Sequence, residues 1–243
     1  MRGRGGKASP TWIILNISWR ERWTIGVFML GMIAAGAMGW NDPHRSPAVA
    51  VLGGPPLTLI GGEVRAGAPW IWLLQYGLFV LAMSPLVGTT GSSAWVALQR
   101  VRGISPVQWA VGQWMAGGVF AFLWTLVMSI VSTSMAAVRG MPIMDPVAIL
   151  PALALALGGL WATMAPMVAS QRLLGDERLG LLILGLFVIM ASMGSPLIYW
   201  TPFGYALADM MPRVPITLSF LCMMVWTSLW WMLFQYAGVG AVW

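Results

Sequence analysis

Few side chains in this chain could do chemistry, and their spacing rules out most of it. One histidine, one cysteine, 13 basic and 7 acidic residues are spread over 243 positions. His44 and Cys222 cannot assemble a metal cage, which takes three or four such ligands. Neither HExxH nor GxxxxGK[ST] occurs, so the chain has no zincin helix and no phosphate-binding loop for ATP. No carboxylate pair lies in an apolar run, as a membrane aspartyl protease would need. Ser195 follows an apolar run, but His44 and Lys7 lie outside such runs and give it no buried base; it reads as a helix-end serine. The GTTG at Gly88–Gly91 reads as a flexible helix exit, not a phosphate cradle. No catalytic residue, no metal site and no cofactor of its own are expected in this chain.

What must position any function is a set of apolar helices. Of all residues 59% are hydrophobic and only 8% charged, against roughly 25% charged in a soluble domain. The mean hydropathy is +0.80. So little charge cannot coat a globule of this size, and the long apolar runs point to lipid as the surroundings. The net charge of +6 does not read as nucleic-acid binding, because the basic residues sit between apolar runs and form no stripe. Cys222 lies within an apolar run and reads as a small hydrophobe. The basic N-terminus has no small-x-small cleavage site before Trp23 and is expected to be retained.

At about 20 apolar residues per crossing, the runs predict six transmembrane helices: 23–40, 70–87, a long third one within 103–138, then 146–170, 179–199 and 216–236. The third run is too long for one upright span and too short for two, so it predicts a tilted helix starting near Val107, after Pro106. The expected fold class is therefore all-α, a polytopic membrane protein forming a single transmembrane domain over 1–243. With the N-terminus inside, the inner segments 1–22, 88–106 and 171–178 hold nine basic residues: Arg2, Arg4, Lys7, Arg20, Arg22, Arg100, Arg102, Arg172 and Arg178. The outer loops hold four: Arg45, Arg65, Arg139 and Arg213. That bias fits the positive-inside rule and puts both termini in the cytoplasm of a multi-pass cell-membrane protein. Every charge falls outside the expected crossings, so no buried ionisable group is there to drive ion-coupled transport.

Residues 11–22, TWIILNISWRER, fit either a helix along the inner interface or an extension of the first span. Pro196, Pro202, Pro212 and Pro215 interrupt an apolar stretch between the last two spans, which suits short re-entrant helices over 195–213. Asn41–Pro69, rich in Gly and Pro, reads as an external connection of extended or irregular chain. Trp23, Trp40, Trp70, Trp109 and Trp200 fall at span ends, as an interfacial belt would have them. Trp124, Trp161, Trp226 and Trp230 lie deeper and read chiefly as lipid-facing or helix-packing residues, with the lining of an apolar substrate path as the alternative; the 19 methionines read as adaptable packing residues.

The most informative stretch is GTTGSSAWVALQRVRGISPVQW, Gly88–Trp109. It predicts a short helix capped by Ser92 or Ser93 and ended by Gly103, with Arg100 and Arg102 in its last turn, favourable to the helix dipole. Ser105–Pro106 then starts the long helix. A short basic helix between two spans is a docking surface or a basic loop that only sets topology.

Here the chain resembles the membrane permeases of ATP-binding-cassette exporters of the type-two class. QRVRGISPVQWAVGQW, the N-terminal TWIILNISWRER and the Pro-aromatic SPLIYWTPFGYALADMMP carry the likeness. It departs from the family in lacking the usual acidic residue before the basic pair, and Gln113 stands where a basic residue follows Gly112. The resemblance implies a permease that dimerises with a second permease copy or a homologous one. It implies docking of a separate ABC ATPase subunit through Gln99, Arg100 and Arg102, with ATP and Mg bound by that partner. It also implies a substrate path near Gln75, Tyr76, Met190 and Met193 for an amphipathic or hydrophobic cargo. A haem-delivery or other membrane assembly permease, and a non-transporting membrane anchor subunit, are the alternatives.

Overall fold

The computed structural model describes residues 9–20, 26–27, 29–33, 57–60, 63–66, 70–91, 93–140, 146–174, 182, 185–186 and 216–240. Their elements run in the order α1 (Pro10–Arg20), β1 (Leu57–Ile60), β2 (Glu63–Ala66), α2 (Trp70–Gly91), α3 (Ser93–Val101), α4 (Pro106–Arg139), α5 (Pro146–Leu174) and α6 (Ile216–Gly240). Residues 26–27 and 29–33, inside the expected first span, are helical as well. The re-entrant stretch 195–213 and most of the expected fifth span lie outside the described residues. Among the described residues the architecture is helical, with one exception: β1 and β2 form an antiparallel ribbon pairing Leu57 with Ala66 and Ile60 with Glu63. Extended chain was expected between Asn41 and Pro69, but not its pairing.

The long third run is one helix, α4, and its ends are written in the sequence. Ser105 caps it in extended geometry: Gln108 N–H donates to Ser105 Oγ at 3.2 Å, and Ser105 N–H donates to Gln108 Oε1 at 3.0 Å. Pro106 at the first helical position needs no hydrogen-bond acceptor and presets φ. The helix stops at Gly140, whose left-handed φ of 65° suits glycine. At 1.5 Å per residue its 34 residues span about 50 Å, well beyond the roughly 30 Å of a bilayer's hydrocarbon.

The two faces of α4 differ in composition. One face buries Ala110, Gly112, Ala116, Gly117, Ala121 and Ser132 together with Trp109, Phe120 and Trp124. The other exposes Val107, Val111, Met115, Val119, Phe122, Leu126 and Ile130 at spacings of three and four. In water such a continuous aliphatic stripe would be an association hazard. Against lipid it is the ordinary outer surface of a helix, while small residues let neighbouring backbones approach on the inner one. α4 and residues 150–173 of α5 are long and apolar enough to cross a membrane.

α5 is the hub, with α2, α4 and α6 all packed on it. Every residue from 162 to 171 is buried, as expected of a helix that is apolar all round and enclosed by others. α5 runs past the expected exit at Ser170 and carries Arg172 in its last turn, so that arginine is part of a helix rather than of a loop. Arg172 is partly buried, and its Nε and Nη2 have no hydrogen-bond partner among the described residues. The α4–α5 seam is aromatic. Trp114 and Trp161 stack with centroids 4.4 Å apart, and Trp161 Nε1–H donates to the Trp114 carbonyl at 2.9 Å. Gly118 makes room for this pair, since a Cβ there would lie 2.7 Å from Trp161 Cε2.

Trp161 is held by both the stack and the hydrogen bond, so it cannot step aside cheaply. Gly118→Ala is therefore expected to lower stability by about 1–3 kcal/mol through overpacking. Gly77→Ala on α2, where an added Cβ meets nothing within 4 Å, should be neutral or stabilise by up to about 1 kcal/mol through helix propensity. Thermal unfolding of both variants in detergent checks this; equal effects would contradict the packing account.

Candidate functional site

The expected helix exit at Gly88–Gly91 does not leave the helix. α2 continues through Gly91, and Thr90 is fully buried. A threonine hydroxyl that bonds one turn back neutralises itself within the helix, and Thr90 Oγ1–H donates to the Leu86 carbonyl at 2.5 Å. Two further bonds converge on the same residue. Trp109 Nε1–H donates to the Thr90 carbonyl at 3.0 Å, and Gln113 Nε2–H donates to Thr90 Oγ1 at 2.6 Å. Trp109 and Gln113 stand four apart on α4, on one face one turn above the other, so both reach the last turn of α2. A helix-end carbonyl with no partner of its own in the helix is satisfied here by an indole.

α3 and α1 join the same knot. Trp95 of α3 stacks on Trp109 with centroids 6.1 Å apart and planes 19° from parallel. α1 crosses α4 at Gly112, where an added Cβ would lie 2.8 Å from Pro10 Cβ and 3.2 Å from the Thr11 nitrogen. Backbone cannot give way as a flexible side chain can, so this crossing requires glycine. Ile14 of α1 is buried in the same core. Within about one turn of α4, between Trp109 and Gln113, the chain thus fastens α1, α2 and α3. Trp109, expected in an interfacial belt, is 1% exposed and serves as this clasp instead. Gln113 is wholly buried, and its Oε1 has no partner among the described residues. A charged side chain there would lie in the same enclosed spot without an ion partner, a far larger desolvation cost.

α3 forms where the short docking helix was expected and ends in a turn at Gly103, with φ of 68°. Gln99 and Arg100 lie on α3, with side chains outside the described part of the structure. Arg102 sits just beyond the helix, exposed, at the rim of a groove of ≈ 870 Å³ between the start of α1, the 102–104 turn and the first turns of α4. Gln75 lies on α2, its side chain likewise outside the described part, and Tyr76 is buried in the bundle core. Met190 and Met193 lie outside the described residues, so the expected substrate path is not assembled from described ones. The deeper tryptophans do pack: Trp124 meets Phe79 edge-on at 6.0 Å and crowds Gly31. Trp114, Trp161, Phe220, Met223 and Trp231 also border an apolar cavity of ≈ 340 Å³ between α4, α5 and α6. No group of three or more metal-ligating side chains occurs among the described residues.

The sequence matches no protein-family model and no curated protein.

Sequence reasoning singled out Gln113 only as a departure from the family pattern and missed its pairing with Thr90, although a signal existed. Trp109, Gly112, Gln113, Ala116 and Gly117 share one face, and small residues beside a polar one mark a helix-packing seam. If Gln113 and Thr90 act together, Thr90→Val and Gln113→Leu should be non-additive. A double-mutant cycle on thermal stability is expected to give a coupling of about 1 kcal/mol, within the range for polar contacts between membrane helices. Additive losses would show that the two residues do not depend on each other.

Proposed function

We propose that this chain is the membrane-spanning permease subunit of an ATP-driven exporter. It crosses the membrane six times with both termini in the cytoplasm. It pairs with a second permease and docks a separate ABC ATPase subunit, which binds ATP and Mg and supplies the energy. The observation that carries this reading is the clasp at the α2–α3–α4 junction. A short helix that only connected two spans would need no fixed attitude. Here Trp95 is stacked on Trp109, Trp109 is bonded to Thr90, and α1 is seated on Gly112. A push on α3 is therefore delivered to two long helices at once, as a lever between an ATPase and a transport path requires. The absence of a phosphate-binding loop from the sequence fits the same division of labour.

Docking is assigned to α3 through Gln99 and Arg100, with Arg102 beside them at the turn. The cargo is amphipathic or hydrophobic, in keeping with the apolar lining of the bundle. Its path runs near Gln75, Tyr76, Met190 and Met193, and the Trp114–Trp161 cavity is a second apolar lining nearer the α6 side.

Docking and transmission are separable. Arg100→Glu should abolish co-purification with the ATPase. Trp109→Ala should leave the complex assembled while lowering ATP-driven transport in vesicles by about tenfold or more, a loss in the usual range of coupling free energies. Normal transport by both variants would refute the reading; loss of assembly in Trp109→Ala alone would place docking, rather than transmission, at the clasp.

A further inference from the structure

The groove beside Arg102 is lined by both polar and apolar side chains, and that mixture suggests an occupant. Arg102, Ser9 and Gln108 supply the polar part of its lining; Ile13, Val107 and Val111 supply the apolar part. Val107 and Val111 belong to the exposed aliphatic stripe of α4, so the apolar part opens onto the surface that faces lipid. Trp12 of α1, 64% exposed, stands beside the groove residues Thr11 and Ile13, as an indole anchored at a headgroup layer would. Among the described residues the groove is cationic without an acidic neighbour. Arg102 has no ion partner among the described residues, whose one carboxylate residue, Glu63, belongs to the β-ribbon. The capping box takes up the Gln108 N–H and Pro106 has none, so the Arg102 guanidinium is the charged donor of the groove among the described residues.

We propose that this groove holds one anionic phospholipid, its phosphate on Arg102 and one acyl chain along Ile13, Val107 and Val111. Charge complementarity selects the occupant: a cation and hydrocarbon in one lining match an acidic headgroup and its tail, whereas a zwitterionic lipid brings its own cation. A volume of ≈ 870 Å³ accommodates a headgroup and part of a chain. The lipid would wedge between α1 and α4 one turn from the clasp, where bilayer composition bears on the attitude of α3. This proposal rests on the membrane reading of the chain and not on its partnership with an ATPase.

The test is native mass spectrometry of the detergent-purified full chain, incubated with equal amounts of phosphatidylglycerol and phosphatidylcholine bearing identical acyl chains. The expected result is preferential retention of one phosphatidylglycerol, reduced about fivefold in Arg102→Gln, the worth of one basic residue at an anionic surface. Gln108→Ala, which keeps the charge, should retain the preference. Equal retention of the two lipids, or a preference that survives Arg102→Gln, would overturn the proposal. A parallel incubation with inorganic phosphate alone separates a lipid site from a simple anion site. Phosphate binding that depends on Arg102 without any lipid preference would also overturn it. Arg102 is exposed, so its loss should not unfold the chain; an unchanged melting temperature verifies this.

Discussion

The structure turns on a buried polar knot at one residue. Thr90 spends its hydroxyl hydrogen on its own helix, and its two oxygens then receive donors from α4, the indole of Trp109 and the amide of Gln113. Each such bond between apolar helices is worth only about 0.6 kcal/mol on average. Energy alone is therefore not the reason they matter. In surroundings with no water, a donor slid by one turn finds no acceptor, so the pair fixes how α4 stands against α2. Everything attached to α4 near Trp109 inherits that register: α3 through the Trp95 stack, and α1 through the crossing at Gly112.

The rest of the bundle reaches the same end by shape. Between helices apolar enough to cross a membrane, lipid would offer no hydrophobic drive, so close packing and small residues would hold them. Gly31, Gly117, Gly118 and Gly158 each face a large neighbour: Trp124, Met164, Trp161 and Met223 in turn. Large side chains fill the room that glycines leave, and the methionines bend to fit it. The polar knot sets position at the α3 end, and this interlocking keeps it along the helix lengths.

Helix positions were legible because the helices coincide with long apolar runs. The apolar runs located α2, α4, α5 and α6, and the Ser-Pro signal marked the start of α4 to within a residue or so. What could not be read were relations between helices. Gly88–Gly91 looks like a helix exit, and only a bond from Thr90 to Leu86 plus two donors on another helix reveals why it is not. Trp109 shows the same limit. An indole at the end of an apolar run suits a membrane interface, and its burial depends on an acceptor 19 residues away. The strand pairing at 57–66 joins an apolar LTLI to a mixed EVRA, two short segments that no helical or loop signal distinguishes from irregular chain.

The central claim is that α3 is rigidly referred to α4 by the clasp. A direct test replaces Cys222 with Ser, since it is the one native cysteine, and places spin labels at Ala97 of α3 and Met115 of α4. Both positions are exposed and lie outside the knot. Pulsed electron–electron resonance should give a single narrow distance, which Trp109→Ala broadens while the helix content stays unchanged. A distribution that is already broad in the parent, or one that Trp109→Ala leaves narrow, would contradict the account.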